Sequence, residues 1–519
     1  MHAVEQDHSA RRGKRFIANL LWSWMGVGAT LASGLLISPY LISKLGPEGY
    51  GIWVLSFALV DNYALLDLGF RSATVKYVAH YWATGEFAHV NEILNTATTY
   101  AAIVALALVG AVLAAAAYVD RFFRISPGYV HSFQILVILV SLSWCLGFVF
   151  NNFAASLEAV QRFDLSNKTS VVVTVCRVIG TAILLYLGRG LIAIGILVVL
   201  TQILGYVMYF LAFRHIFPQL HISTRYASMA TLKKMGSFGI HTFVMNMANL
   251  ILAQSPPLLI GHFLPASFVG YFGAPNRLLQ YAGDVVGRAG IITNSNAAEL
   301  HARNDRRLLP QLAIFTNRYS VVLFMPIAIA LWIYGNAIFT LWVPSIARFS
   351  APLLPVLLTG YVIAVVGQFS SSMLLQGLGR HQNYARGVMA EALLAVGAMA
   401  WIIPRFGIMG AAWTLTVLMT VNRGLLTPWL VSREMGFSFP RFIASIYFRP
   451  FAAAIPAAVL AAILQSSVLP GRNWLQIAAA MAIILIAYLG VAVVLCVPRS
   501  HREMLQSWVT QKLSWARAA

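Results

Sequence analysis

Residues 93–117 read ILNTATTYAAIVALALVGAVLAAAA, without one Asp, Glu, Lys or Arg. As a helix rising 1.5 Å per residue this stretch is roughly 37 Å long, enough to cross a hydrocarbon core of about 30 Å. Runs of the same kind precede and follow it, near 18–43, 49–69, 130–156, 169–187 and 190–213. A polar stretch from Arg214 to Gly236 interrupts the series, which resumes near 238–260, 266–290, 313–343, 352–376, 384–403, 408–430, 450–469 and 474–497. The sequence therefore predicts an all-α polytopic membrane protein of about 14 transmembrane helices. The run at 313–343 contains Pro326 and is too long for one straight span without tilt or a kink. Composition agrees: 59% of the 519 residues are apolar and 10% charged, too few charges to cover a water-soluble surface.

Lys and Arg number 36 against 16 Asp and Glu, a net charge of +20. Where they fall explains the excess. With the N-terminus inside, 25 of the basic residues lie in inside regions and seven in outside loops, which fixes both termini in the cytoplasm by the positive-inside rule. No compact basic module with interleaved aromatics remains, so nucleic acid is not an expected partner. Cys145, Cys176 and Cys496 fall within apolar runs, with no spacing for a disulfide framework or metal site. Arg11, Arg12, Lys14 and Arg15 ahead of an apolar run resemble a signal peptide, but that run of about 26 residues reads better as a retained first helix.

The halves echo one another. Leu45-Gly46-Pro47-Glu48-Gly49-Tyr50-Gly51 leads into the second span, as Leu264-Pro265 through Gly270-Tyr271-Phe272-Gly273 leads into the eighth. Leu157 to Phe163 (LEAVQRF) follows the fourth span, as Leu375 to His381 (LQGLGRH) follows the tenth. Two echoes at nearly equal offsets favour duplication of a six-helix unit, and because six is even the copies would be related by a pseudo-two-fold along the membrane normal. The expected organisation is a basic cytoplasmic segment at 1–17, an N-lobe at 18–213, a cytoplasmic linker helix at 214–236 and a C-lobe at 237–430. Two further helices at 450–497 and an amphipathic tail at 498–519 complete it. The linker helix is expected to be capped by Ser223 or Thr224 and to stop at Gly236. In the tail, Leu505, Trp508, Val509 and Leu513 make one apolar face, with Arg502 and Lys512 available to anionic lipid. A solvated basic tail is the alternative.

Several stretches carry a family resemblance: Leu45 to Trp53 (LGPEGYGIW), Leu65 to Ala73 (LLDLGFRSA), Gln161-Arg162-Phe163 with Asn167, Leu232 to Gly239 (LKKMGSFG) and Gly407 to Ala412 (GIMGAA). In their order and placement they resemble the bacterial Wzx-type polysaccharide flippases of the multidrug/oligosaccharidyl-lipid/polysaccharide exporter superfamily, over most of residues 15–430. The resemblance implies a MATE-like fold in the bacterial inner membrane and the transfer of an undecaprenyl-pyrophosphate-linked oligosaccharide from the cytoplasmic to the periplasmic leaflet. Implied partners are that lipid-linked oligosaccharide, membrane lipids, a polysaccharide polymerase and other proteins of the pathway. Where many relatives carry an acidic residue in the seventh span, this chain has Gln254-Ser255-Pro256-Pro257, so an ion-coupling role placed there in relatives does not carry over.

Ionisable groups inside spans cost roughly 2.5–3.5 kcal/mol each on insertion scales and need a partner or a wet cavity. Asp67 with Arg71, and Glu391 with Arg423, are expected to be structural ion pairs. On the eighth span Arg277, Asp284 and Arg288 fall on one face, with Tyr281 beside them. Asp284 can pair with Arg288, leaving Arg277 without a local partner. Asp61 and Arg177 lie similarly deep and either pair with each other or face the cavity. A pyrophosphate needs fixed cationic donors, and arginine supplies them in a bidentate fork that cannot be titrated away. Arg277 is the first candidate, then Arg177 and Arg288. Asp61, Asp284, Asn62, Asn246, Asn249 and Tyr281 are candidates for the polar cavity lining. Interhelical hydrogen bonding explains most other amides in the spans equally well.

No Gly-rich phosphate loop ending in Lys-Ser or Lys-Thr, no HExxH, no GxSxG and no Cys-x-x-Cys occurs, so neither an enzyme nor a cofactor is expected. Two alternatives remain beside the flippase. A cation-coupled multidrug antiporter of the same fold would want a carboxylate-rich cavity. A membrane-embedded glycosyltransferase or ligase would want a larger extramembrane loop than the two dozen residues available here.

Overall fold

The computed structural model describes residue 28 and residues 34–303, 305, 307–499, 502 and 503, without the side chains of 237–242, 288, 289, 291 and 292. The basic segment 1–17 and the apolar face of the tail lie outside the described residues. Sixteen helices follow one another: α1 (Gly34–Asp67, its last turn Asn62–Asp67 a 3-10 helix), α2 (Phe70–Ala83), α3 (Phe87–Ala116), α4 (Pro127–Ala159), α5 (Phe163–Tyr186), α6 (Leu191–Ile216), α7 (Met229–Phe263) and α8 (Ala266–Ala302). Then come α9 (Leu308–Trp342), α10 (Pro344–Ser350), α11 (Leu353–Val365), α12 (Ser372–Gly377), α13 (Gln382–Met419), α14 (Thr427–Glu434), α15 (Phe439–Ile463) and α16 (Trp474–Cys496). Short π-helical segments, Val366–Ser371 and Thr420–Leu426, join α11 to α12 and α13 to α14. Among the described residues there is no strand, only a bridge between Arg124 and Pro265.

Among the described residues, eleven helical runs are long and apolar enough to cross a membrane. Two of them, Gly34–Asp67 and Gln382–Glu434, each contain a left-handed glycine where the sequence predicts a turn between spans: Gly46 at φ +73 and Gly407 at φ +60. Glycine takes this conformation at no steric cost, and Pro47, which cannot continue a helix but starts one well, follows Gly46 directly. Helix α8 is not among the eleven; it carries Arg277, Asp284 and Arg288.

Two compact units divide the chain, residues 1–273 and 274–519. In the first, α4 packs on α3, α6 and α2. Phe70, Phe153, Leu157, Phe213 and Phe217 fill one end of the core, all under 7% exposed. In the second, α9 is the central helix, packed against α11, α15 and α16. Arg318, one of the 25 basic residues assigned to inside regions, is buried in α9. Its Nε donates to the Ser445 carbonyl of α15 at 2.8 Å and its Nη1 to the Cys496 carbonyl at 3.3 Å. A guanidinium against the C-terminal carbonyl of α16 matches the negative end of that helix dipole, and ties the last two helices to the unit.

The linker differs from expectation. Residues 224–226 form one 3-10 turn, after which α7 starts at the Ser228 N-cap and runs unbroken through Gly236 to Phe263. A mid-helix glycine costs only about 1 kcal/mol, which packing easily offsets, so Gly236 does not end the helix. The connection is clamped by the polar start of α3. Asn95 Nδ2 donates to the His221 carbonyl at 2.7 Å, Asn95 Oδ1 accepts from the Ser223 amide at 2.8 Å, and Asn91 Oδ1 accepts from the His221 amide at 2.9 Å. Thr96 Oγ1 accepts from the Ser228 amide at 3.0 Å, and the Thr231 hydroxyl donates to Glu92. Asn95 is 2% exposed, so Asn95→Leu strands two backbone groups in a dry site. At about 1–3 kcal/mol for each unsatisfied group, this variant should lower the melting temperature of the detergent-purified protein by several degrees. An unchanged melting temperature would show the clamp to be dispensable.

The second echo is visible in the backbone. The Arg162 amide donates to the Leu157 carbonyl and the Gln161 amide to Glu158, while the Arg380 amide donates to Leu375 and the Gly379 amide to Gln376. Gln161 and Gly379 both take positive φ, +61 and +68. Helices α4 and α12 thus end in the same left-handed cap. The first echo is not repeated in this way, because Leu264 is extended (φ −125) where Gly46 is left-handed.

Candidate functional site

In the first unit the polar groups gather around the 3-10 end of α1. Gln254 Nε2 on α7 donates to Asp61 Oδ2 at 3.2 Å. The neutral amide thus sits against a carboxylate of the same unit, at the place where the family resemblance led one to look for an acid. Asn62 Nδ2 donates back to the Ala58 carbonyl at 2.6 Å, and Tyr63 Oη lies 3.2 Å from Ser141 Oγ on α4. Asn246 and Asn249 are both exposed on α7, and Asn249 Nδ2 donates to the Met245 carbonyl at 3.0 Å.

Arg177 does not pair with Asp61. Its Nε donates to Thr201 Oγ1 at 3.2 Å and its Nη2 to Gln202 Oε1 at 2.6 Å, both on α6. Gln202 Nε2 then donates to Tyr206 Oη, whose hydroxyl donates to the Ser143 carbonyl on α4 at 3.0 Å. Neutral oxygens orient this half-buried guanidinium without neutralising it, which leaves its charge available to an anion.

Asp67 and Arg71 also depart from expectation. Arg71 Nη2 bonds Glu158 Oε1 on α4 at 2.6 Å, while Asp67 accepts from the Arg71 backbone amide at 3.4 Å. The reason lies in the backbone between them: Leu68 (φ +48) and Gly69 (φ +81) are both left-handed, so the chain turns and the i,i+4 face expected of a continuous helix is lost. Beside this pair Arg162 Nε reaches Asp164 Oδ1 at 2.9 Å, and that hydrogen bond holds the Arg162 guanidinium above its ordinary pKa.

In the second unit Arg277 is exposed on α8 and does have local partners. Its Nε donates to Tyr281 Oη at 3.1 Å, its Nη1 to Gln280 Oε1 at 3.3 Å, and its guanidinium carbon stands 5.1 Å from the Tyr281 ring centroid. A search for charged neighbours overlooks both, although they stand three and four positions along the same helix. Tyr281 is 8% exposed and so holds the arginine from a fixed position. Asp284 is exposed one turn further on, and the side chain of Arg288 lies outside the described residues. Glycines 283, 287 and 290 line the opposite packing face, where added Cβ atoms would meet Phe369 at 2.9–3.2 Å or its carbonyl oxygen at 3.0 Å.

The ion pair expected between Glu391 and Arg423 is present and deeply buried. Arg423 Nε donates to Glu391 Oε2 at 3.1 Å, and Asn422 Nδ2 donates to the same oxygen at 2.6 Å. The pair joins the start of α13 to the π-helical segment 420–426, and Gly367 lies so near that a Cβ there would stand 1.8 Å from the Arg423 carbonyl oxygen. Nothing in the sequence signalled this contact between the two π-helical segments.

These features define a polytopic helical membrane protein in which, among the described residues, Arg423 is locked to a carboxylate while Arg177 is oriented by neutral side-chain oxygens. The chain belongs to the polysaccharide biosynthesis protein family, whose model matches residues 16–289. A Shigella flexneri protein named "Putative O-antigen transporter" is 22% identical over 438 residues, covering 80% of this chain and 98% of that one. Among solved structures, the lipid II flippase MurJ in an inward closed conformation superposes with a TM-score of 0.72 at 12% identity, over 94% of this chain and 100% of that one. An inward-facing multidrug resistance MATE family transporter of the MOP superfamily superposes at 0.68 and 14% identity, over 81% and 98%. The fold is therefore MATE-like.

Proposed function

We propose that the protein is a flippase for a lipid-linked oligosaccharide, carrying an undecaprenyl-pyrophosphate-bound glycan from the cytoplasmic to the periplasmic leaflet of the inner membrane by alternating access. Membership of the polysaccharide biosynthesis family over residues 16–289 is the observation that carries this reading. The names of the Shigella flexneri relative and of MurJ support it, both being transporters or flippases rather than enzymes. Arg277 supplies the first pyrophosphate contact, with Arg177 and Arg288 as further cations and Asp61, Asp284, Asn62, Asn246, Asn249 and Tyr281 lining the polar path. Two six-helix lobes related along the membrane normal would rock about that path while the lipid tail stays in the bilayer. Both termini face the cytoplasm, and a polysaccharide polymerase receives the product outside. With an inside-negative potential, outward movement of each negative charge gains roughly 2.3 kcal/mol per 100 mV, so the potential alone can drive net export.

Proteoliposomes provide the test. With a lipid-linked oligosaccharide in both leaflets, a glycan-cleaving enzyme added outside should digest about half in protein-free vesicles and nearly all when the protein is present. Digestion that stops at half in both preparations would overturn the reading, and proton-coupled uptake of a cationic dye by the same vesicles would replace it with antiport.

A further inference from the structure

The two arms of α13, on either side of Gly407, flank an open groove of about 500 Å³. Ala398, Ile402 and Phe406 line it from one arm, and Gly410, Trp413 and Val417 from the other. These spacings of three and four residues put each trio on one helix face. The missing side chain at Gly410 shapes the wall, since a Cβ there would stand 2.5 Å from Ile402 Cγ2. The polar side chain in the wall, Thr414, turns its hydroxyl to the Gly410 carbonyl at 2.8 Å. The rest of the wall is aliphatic or aromatic, and in a membrane-crossing hairpin the natural occupant is hydrocarbon.

A charge adjoins the lining in sequence. Arg405 adjoins Phe406 at the turn, where its Nη1 donates to the Trp401 carbonyl at 2.6 Å and its guanidinium stacks 4.3 Å from the centroid of the Trp401 ring. Arg405 is exposed and pairs with no carboxylate among the described residues. Trp401 and Trp413 are both more than half exposed on the two arms, as is usual for tryptophans at a membrane–water interface. An apolar groove whose lining adjoins, in sequence, a guanidinium without a carboxylate partner fits a molecule with one hydrocarbon chain in the groove and an anionic phosphate beside it.

We propose that this hairpin groove is a binding site for a glycerophospholipid of the surrounding bilayer, with one acyl chain between the arms and the phosphate on Arg405. A groove of this volume has room for a single acyl chain. The site lies wholly within the second unit and does not depend on the flippase reading.

Native mass spectrometry of the detergent-purified full chain, titrated with phosphatidylglycerol, tests the proposal. The unaltered protein should retain one phosphatidylglycerol, and Arg405→Ala should bind it about tenfold more weakly, as expected for loss of a charged hydrogen bond. Ala398→Phe, which fills the groove, should abolish retention, and diacylglycerol, with the same chains but no phosphate, should bind the unaltered protein no better than phosphatidylglycerol binds Arg405→Ala. Arg405 is exposed, so its variant remains informative even if Ala398→Phe does not fold. Equal retention by the unaltered protein and Arg405→Ala would overturn the proposal, as would displacement of phosphatidylglycerol by equimolar undecaprenyl phosphate.

Discussion

Glu391→Ala should unfold or mis-insert the second unit at temperatures where the unaltered protein is stable. The carboxylate is 3% exposed and Arg423 is 7% exposed, so removing one partner leaves the guanidinium charged, desolvated and unable to reach water. Breaking a buried pair in this way costs about 3–5 kcal/mol, a large share of the whole stability of an ordinary domain. Asn422 loses its acceptor at the same time, because its amide donates to the same Glu391 oxygen. Glu391 Oε1 has no hydrogen-bond partner, so the pair is imperfectly satisfied even in the intact protein. That argues for the converse result: Glu391→Leu combined with Arg423→Met, which removes both charges and keeps volume, should recover most of the loss. Fluorescence-detected size exclusion after heating would read both variants. A single variant as stable as the parent would mean that the ion pair holds nothing together, and a double variant as damaged as the single would mean that the charges have a task beyond mutual compensation.

Which parts of this architecture the sequence discloses depends on the range of the interaction. Apolar runs report burial in lipid directly, so the helices come through, as does the Glu391–Arg423 pair: two charges in neighbouring spans have few other ways to be tolerated. The Arg71 pair was misassigned because its true partner, Glu158, is 87 residues away while Asp67 is four residues away, and only the left-handed Leu68 and Gly69 take the nearer acid off the helix face. Leucine at positive φ has no sequence signature. The Asp61–Gln254 contact spans 193 residues, and no periodicity relates the two positions. Gly236 misled for the opposite reason: a local stop signal is outweighed by an α3 surface that holds the connection at five points. Arg277 is a different case: Tyr281 shares its face in the sequence, but neutral side chains such as Tyr281 and Gln280 give no charge signal that marks them as its partners.

Those two neutral neighbours sharpen what Arg277→Ala should do. Export of the lipid-linked glycan should fall at least tenfold in cells lacking other copies of the transporter, with the protein still inserted and at normal abundance. An arginine-to-phosphate contact is worth about 1.5–3 kcal/mol, and 1.4 kcal/mol is a factor of ten. Folding should be spared, because the residue is exposed and its hydrogen bonds to Tyr281 and Gln280 lie within its own helix. Arg277→Lys keeps the charge but loses the planar fork that Tyr281 and Gln280 hold in place, so it should restore export only in part. Tyr281→Phe should leave the charge where it is and loosen its aim, lowering export several-fold without abolishing it. This graded order, with alanine worst and phenylalanine at 281 mildest, separates an anion contact from a merely structural arginine, for which lysine and alanine would both be mild. Normal export by Arg277→Ala would remove the residue from the mechanism. If Arg177→Gln then abolished export, the phosphate contact would belong to α5, where Thr201 and Gln202 already hold a guanidinium without neutralising it.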